Sequence, residues 1–415
     1  MNRQFGIGII GCGHITAAHL NSLKELKEKG LLSNTRVVAL CDRDRTRAES
    51  FLARGVGPEQ KSGVGPKEDP MQAPSVWVSD FQEGPAPAVY EDYRELLERM
   101  DVNAVLVLSS VFTHHEIGFA AIRAGKNILI EKPLAISVKA ARLLVDAAKK
   151  AGVSFGVAEQ WRYTPTARMA RWAVDAGHLG TPQMSIFVAA AGYWAPNRIV
   201  AETAWRHKKV LAAGGVAVDW MVHSFHQLRY VFGEIAEVAG MASIVEPTRS
   251  SRDAKGVVGE IVNVEIDDTL SCSLRYANGA AGSVFVTWAG HGEKLDIAPT
   301  FYGSKGSIRG DRLTLDERAS IPLADFFHEN ADASLKDRLF PKGITNPFTL
   351  EMFDFLSAAQ NGSRMETSGE EGLLDLAVCF ASLESSLTGR NIRLCEILSG
   401  RAARYERPIN AHYAI

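Results

Sequence analysis

Three short stretches of the chain carry residue types whose spacing suits chemistry. The first, Asn127-Ile-Leu-Ile-Glu-Lys-Pro-Leu134, is an apolar run that reads as a buried strand and ends in Glu131-Lys132-Pro133. Strands of a parallel sheet present their carboxyl ends to ligands, and a proline removes the next backbone donor, so Lys132 is expected to face a cleft where the sheet stops. The second, Gly214-Gly-Val-Ala-Val-Asp-Trp-Met-Val-His-Ser-Phe-His226, sets a glycine pair before a helical pattern. That pattern carries Asp219 and His223 on one face, with His226 a turn further on. A carboxylate beside an imidazole suits proton transfer, the acid orienting a ring that takes a hydroxyl proton near neutral pH. A satisfied internal hydrogen bond on an apolar helix accounts for the same pair equally well. A metal cluster of Asp219, His223 and His226 lacks an obvious further ligand, so no metal is expected.

The third stretch, Phe5-Gly-Ile-Gly-Ile-Ile-Gly-Cys-Gly-His-Ile-Thr16, has the order of a dinucleotide fingerprint: strand, glycine turn, helix start. Gly11 and Gly13 fill its first two glycine places and would let backbone approach a pyrophosphate at the helix N-terminus. Thr16 holds the third place, where Gly or Ala is usual. The next strand pattern, Thr35 to Cys41, closes on Asp42. A carboxylate there is expected to bond the adenosine ribose and to favour NAD over NADP, with Arg43 and Arg45 as the residues that would accommodate a 2′-phosphate instead. The bland alternative for Asp42 is a cap on the following helix.

These stretches need elements to hold them. Helix near 16–30, helix 90–100, strand 103–110, helix 113–124, strand 127–130 and helix 137–151 alternate along the chain. That alternation predicts a doubly wound parallel sheet, an α/β Rossmann domain over residues 1–152. Residues 55–88, rich in Gly, Pro, Ser and Gln, read as an inserted surface loop. A strand at 153–157 and a helix at 166–176 follow, and then the grammar changes. Patterns at 262–276, 280–288 and 295–302, with an Asn278-Gly279 turn, predict an α+β second domain with a largely antiparallel sheet over 153–390. One face would carry helices 166–176 and 216–232, and the open face would take another subunit, giving a homodimer or homotetramer. Residues 391–415 form an extension that can return to the first domain.

Composition fits an ordinary globular enzyme, because 415 residues allow two or three domains and a net charge of −2 gives no basic surplus for nucleic acid or an anionic membrane. Five scattered cysteines read as reduced thiols, and neither a signal peptide nor a membrane span is seen, so a cytoplasmic protein is expected. No Gly-x-Ser-x-Gly elbow supports serine hydrolysis. Trp161, Tyr163, Tyr193, Trp194 and Trp205 suit either a sugar-stacking wall or core, and Arg162 and Arg206 suit either a substrate anion or local pairing.

Taken together, Gly11-Cys-Gly-His-Ile-Thr16, Val38-Ala-Leu-Cys-Asp42, His114 before Ala124-Gly-Lys126, Glu131-Lys-Pro133, Trp205-Arg206, Gly214-Gly215 and Asp219-x-x-x-His223 resemble the glucose-fructose oxidoreductase/inositol dehydrogenase/MocA family. The resemblance runs from about residue 6 to 393. It implies hydride transfer between NAD(P) and a hydroxyl or ketone of a sugar, cyclitol or glycoside. Carried over by position, Lys132 bonds the reacting oxygen, His223 acts as base or acid, and Asp219 orients substrate or imidazole. It implies cofactor contacts from Gly11, Gly13, His14, Ile15, Asp42, Arg43, Ser109, Ser110, His114, Glu131 and Lys132. Substrate contacts fall to Arg162, Tyr163, Trp205, Arg206, Asp219, His223 and His226. Two departures stand out: Ser109-Ser110-Val111 replaces Thr-Pro-Asn, and His226 stands where Asp is common. A glycosidase that oxidises transiently and eliminates an aglycone uses the same residues. A non-catalytic nucleotide sensor would have no need of Lys132, Asp219 and His223.

Overall fold

The structure, a computed structural model, describes residues 4–60, 72–190, 194, 197–253 and 255–415. The chain divides into two compact units: Met1–Ile136 with Ala140–Gln160 and Ile344–Leu373, and Ser137–Lys139 with Trp161–Gly343 and Leu374–Ile415. The boundary expected at 152 therefore falls at Gln160, because the strand after residue 152 edges the first sheet. Residues 344–373 belong with the first unit, where helix Pro347–Asn361 packs on helix Ile15–Glu28. The 391–415 extension belongs with the second.

In the first unit, β1 (Phe5–Ile10), β2 (Thr35–Cys41), β3 (Ala88–Tyr90), β4 (Ala104–Val107), β5 (Asn127–Glu131) and β6 (Phe155–Ala158) form one sheet in the order β3-β2-β1-β4-β5-β6. Every neighbouring pair is parallel. Strands covered on both faces need unbroken apolar runs, and Ala104-Val-Leu-Val107 is buried at every position. The strand order reverses between β1 and β4, which opens a crevice at the carboxyl ends of these strands. One expected helix is shorter than the pattern suggested: 90–100 contains only Tyr93–Glu98, and Ala88–Tyr90 before it is an edge strand on β2. Three residues are too few to show a period. Part of the expected 55–88 loop, residues 61–71, lies outside the described residues, and Val78–Asp80 within it forms a 3-10 turn.

The second unit is built on a mixed, mainly antiparallel sheet. Its strands are β7 (Pro182–Ala190), β8 (Ile235–Ser243), β9 (Thr248–Arg252), β10 (Val258–Asn263), β11 (Thr269–Tyr276), β12 (Ala281–Thr287), β13 (Leu295–Gly303), β14 (Gly306–Arg309), β15 (Arg312–Leu315), β16 (Ile321–Pro322) and β17 (Ile392–Arg393). Nine of them run in the order β16-β15-β14-β13-β7-β12-β11-β8-β17, while β9 and β10 pair separately. Only β7 with β12 is parallel among the paired strands described here. The expected hairpin at Asn278-Gly279 joins β11 to β12. The single strand expected over 262–276 is two, because the chain leaves β10 and bends so that Asp267 accepts from the backbone of Gly215 and Ala217 before β11 begins. Strand β8, Ile-Ala-Glu-Val-Ala-Gly-Met-Ala-Ser, escaped the pattern because alanine and glycine carry little strand propensity. Leu270, Cys272, Leu274 and Tyr276 of β11 bury one face of the sheet. Helix Met221–Phe232 packs on β7 and on helix Pro165–Asp175, as the helical patterns predicted.

Helix Pro347–Asn361 begins with a side-chain cap, since Asn346 Oδ1 accepts from the N–H groups of Phe348 and Thr349 at 3.0 and 3.4 Å. Asn346→Ala removes that cap and should lower stability by about 1 kcal/mol in urea unfolding. An unchanged midpoint would mean the cap contributes nothing.

Candidate functional site

In the first unit the glycine turn is held from two sides. Gly11 has φ +96°, and a Cβ there would come within 2.7 Å of the Leu108 and Ser109 backbone, so the position admits only glycine. A Cβ at Gly13 would meet nothing within 4 Å, which leaves open space in front of the start of helix Ile15–Glu28. Thr16, the departure from the third glycine place, is buried and its hydroxyl donates to the Gly11 carbonyl at 3.2 Å, closing the turn. His14 and Ile15 stand half-buried at the helix start. Asp42, at the end of β2, accepts from the Cys12 N–H at 2.8 Å and from the Asp44 N–H at 3.0 Å. The bland alternative for Asp42 falls away, because Asp44 is the cap of the next helix. Arg43 is exposed and Arg45 pairs with Glu49 at 2.8 Å. An acid braced against the glycine turn and open space before a helix N-terminus fit a dinucleotide.

Lys132 is half-buried at the end of β5, and its peptide bond to Pro133 is cis. Its neighbours are fixed by two histidines. Glu131 Oε1 lies 2.9 Å from His19 Nε2, and Glu131 Oε2 accepts from the Lys132 N–H at 3.1 Å. His114 contacts the carbonyls of Pro133 and Ser109, each at 2.9 Å. Burial holds the His114 pKa below its ordinary value, against the pull of those carbonyls. Glu131 and His114, both expected to touch cofactor, thus spend their polar atoms on the frame around Lys132 and Ser109. The Thr113 hydroxyl donates to the Ser110 carbonyl and can accept from the Ser109 hydroxyl, both at 2.8 Å, so the Ser-Ser departure is knitted into the following helix. Lys126 is also part of the frame, since its Nζ donates to the Arg99 and Val102 carbonyls.

In the second unit the helix expected over 216–232 breaks at Trp220 (φ −100°, ψ −49°), with Asp219 ending Val216–Asp219 and His223 in Met221–Phe232. Each of the two side chains has a neighbour from another part of the unit. Asp219 Oδ2 lies 3.3 Å from Arg206 Nε, and the His223 ring stacks on Trp161 with centroids 5.3 Å apart and planes 11° apart. Arg206 also covers the Trp205 ring at 4.5 Å. The glycine pair is there for space, because a Cβ on Gly215 would come within 1.6 Å of the Asp267 carbonyl oxygen. Burial pushes the Asp267 carboxyl up to about 6, although the N–H groups of Gly215 and Ala217 pull it down.

His226 is fully buried, with Nδ1 2.7 Å from Asp375 Oδ2 and Nε2 3.4 Å from Arg162 Nη1. Arg229 also binds Asp375, and Arg162 covers the Tyr230 ring at 4.3 Å. Tyr163 is fully buried beneath the Arg168 guanidinium. His226 and Tyr163 therefore brace the floor on which Trp161 and Arg162 stand. Tyr193 lies outside the described residues. Sequence reasoning missed His19 and Asp375 as organising groups. Asp375 has no local signal, since its histidine is far away in the chain. His19 left one, a polar residue on the apolar face of an amphipathic helix.

Residues 5–159 match the family model described as "Oxidoreductase family, NAD-binding Rossmann fold", and residues 167–309 match the "GFO/IDH/MocA C-terminal domain". Among curated proteins, the chain is 32% identical over 227 residues to a levoglucosan dehydrogenase of Pseudarthrobacter phenanthrenivorans, covering 52% of this chain and 57% of that protein. It is 24% identical over 398 residues to a myo-inositol 2-dehydrogenase of Thermotoga maritima, covering 94% of this chain and 99% of that one. Among solved structures, a levoglucosan dehydrogenase in complex with NADH and levoglucosan shares the fold with a TM-score of 0.73 at 21% identity, over 94% of this chain and 100% of that chain.

Two substitutions test the dinucleotide cradle by calorimetric titration with NAD. Gly11→Ala should abolish measurable binding, and Asp42→Ala should weaken it by about 10–100-fold, the scale of one charge-assisted hydrogen bond. Wild-type affinity in either would remove the glycine turn from the cofactor site.

Proposed function

This chain belongs to the GFO/IDH/MocA oxidoreductase family, and within it we propose that it transfers hydride between NAD and a secondary hydroxyl or ketone of a sugar, cyclitol or glycoside, with Lys132 and His223 handling the proton. One observation carries this reading. Lys132 directly follows β5 at the carboxyl edge of a parallel sheet, held between Glu131, tied to His19, and Pro133, tied to His114. A lysine so framed suits a proton-handling role better than a solvated strand exit does.

The roles follow from the chemistry of the groups. The Lys132 ammonium hydrogen-bonds the reacting oxygen and steadies the negative charge that grows on it. His223 takes the hydroxyl proton, its ring orientation fixed by stacking on Trp161. Asp219, tethered to Arg206, orients the substrate through its remaining acceptor capacity. Trp161, Trp205 and Arg162 offer a ring face and a donor to a polyhydroxylated ligand. Bound NAD supplies the hydride acceptor. The names of the relatives, levoglucosan and inositol dehydrogenases, support a ring hydroxyl as the group oxidised.

We also propose a homodimer or homotetramer formed through the outer face of the nine-stranded sheet. Strand register puts Met184, Met241, Phe285, Leu295 and Tyr302 on one face, all of them exposed. Apolar side chains gathered in this way favour a partner surface.

Formation of NADH, followed by absorbance against a panel of cyclitols and anhydrosugars, tests the activity. Lys132→Met should lower kcat by about 10²–10⁴-fold while calorimetry shows NAD still bound. An active variant would sink the role of Lys132. Light scattering should give a mass of two or four chains, and Phe285→Lys with Met241→Lys should reduce it to one. A wild-type monomer would contradict the sheet-face interface.

A further inference from the structure

Helix Pro347–Asn361 turns Phe348, Met352 and Phe355 into the core of the first unit, and Glu351 occupies the same buried face. Its side chain has no exposure, and neither carboxyl oxygen meets a hydrogen-bond partner of good geometry among the described residues. The charged groups that bear on it are Glu131 at the end of β5, Glu159 just beyond β6, and Asp354 on its own helix. β5 and β6 pair Glu131 with Ala158, so Glu159 follows one residue beyond the partner of Glu131 at the carboxyl edge of the sheet. His19 joins them through Glu131, and Phe348, one turn before Glu351, packs edge-on against the His19 ring at 5.6 Å. His19 Nδ1 is buried and has no partner among the described residues.

Several acids crowded into a dry pocket cannot all ionise, and the proton stays on the one with the fewest donors. Glu131 is met by the Lys132 N–H and His19 Nε2, whereas Glu351 is approached by the Glu159 backbone N–H, without a hydrogen bond of good geometry. Burial holds the Glu351 carboxyl far above the usual carboxylate range, and the neighbouring acids push the same way.

We propose that Glu351 is a positioning residue for Lys132, standing behind the end of β5 as a neutral carboxylic acid. As an acid it adds no further negative charge at the strand end. Glu131 then keeps its hold on His19 and on the Lys132 backbone, and the ammonium keeps its direction. Ionised, Glu351 would repel Glu131 and loosen its hold on the Lys132 backbone.

This inference rests on Lys132 as the proton-handling group, so the test reads Glu351 and Lys132 without any turnover; a silent activity assay would count against the functional reading alone. The full-length wild type is compared with Glu351→Gln, which keeps the shape and the donor, and with Glu351→Leu, which keeps neither polar atom. The folded state holds a proton that the unfolded chain releases above about pH 4.3, so wild-type stability is lost as pH rises toward the raised folded value. In urea unfolding from pH 5 to 8, the unfolding constant of wild type relative to Glu351→Gln should therefore climb about tenfold per pH unit. A flat ratio overturns the neutral acid. Acetylation of Lys132 by limiting acetic anhydride, followed by peptide mass spectrometry, reads the positioning. Glu351→Gln should match wild type within about twofold, while Glu351→Leu should shift the Lys132 rate by about tenfold, the equivalent of one pKa unit. An unchanged Lys132 rate in Glu351→Leu overturns the positioning role, and Glu351→Asp replaces that variant if it fails to fold.

Discussion

The Glu131 carboxylate, bonded to His19 and to the backbone N–H of Lys132, fixes where the parallel sheet ends and what stands at its end. A buried strand that stops at the surface normally leaves a frayed, solvated edge. Here the last strand residue turns inward to a histidine on helix Ile15–Glu28, the helix that begins at the glycine turn. The glycine turn and the strand end before Lys132 are therefore linked through that helix by the contact between His19 and Glu131. His114 repeats the device on the other side, joining Pro133 to Ser109 at the end of β4.

The second unit solves a different problem with similar means. The His223 ring stacks on Trp161, and the helix that carries it begins just after an interruption at Trp220. At the start of the short helix Gly215 closely approaches Asp267, whose carboxylate takes up N–H groups that the helix leaves open. Beneath it, Asp375 gathers His226 and Arg229 into a buried ion network, and Arg162 leans on His226. Buried charges of this kind hold geometry at a cost in desolvation, which suits a floor under functional side chains better than a stabilising core.

Much of this was legible in the chain because it is written locally. The glycine turn, the apolar strands with their terminal Asp42 and Lys132, and the Asn278-Gly279 hairpin all declare themselves within a few residues. The membership in an NAD-binding oxidoreductase family follows from the same short motifs. What was not legible is set by distant partners. Asp219 was read against His223 because they are four apart in sequence, and its ion pair with Arg206, thirteen residues earlier, left no such local signal. Glu131 and His114 were read from their residue types, and the protein groups they hold, His19 and the carbonyls of Pro133 and Ser109, are partners that no local pattern announces. The alanine-rich β8 and the three-residue β3 had too little side-chain signal to show a period. Glu351 left a visible clue, an acid in the core register of Phe348, Met352 and Phe355, where periodicity asks for an apolar residue.

Hydride transfer from a ring carbon is the central claim, and the route of that hydrogen is directly observable. Wild-type protein with NAD would be incubated with cyclitols and anhydrosugars deuterated at the carbons bearing hydroxyls, and the recovered cofactor weighed by mass spectrometry. One deuterium on the nicotinamide of the product, delivered from a single ring position, is the result this account predicts. Cofactor shown to be bound yet recovered without deuterium from every substrate would contradict it.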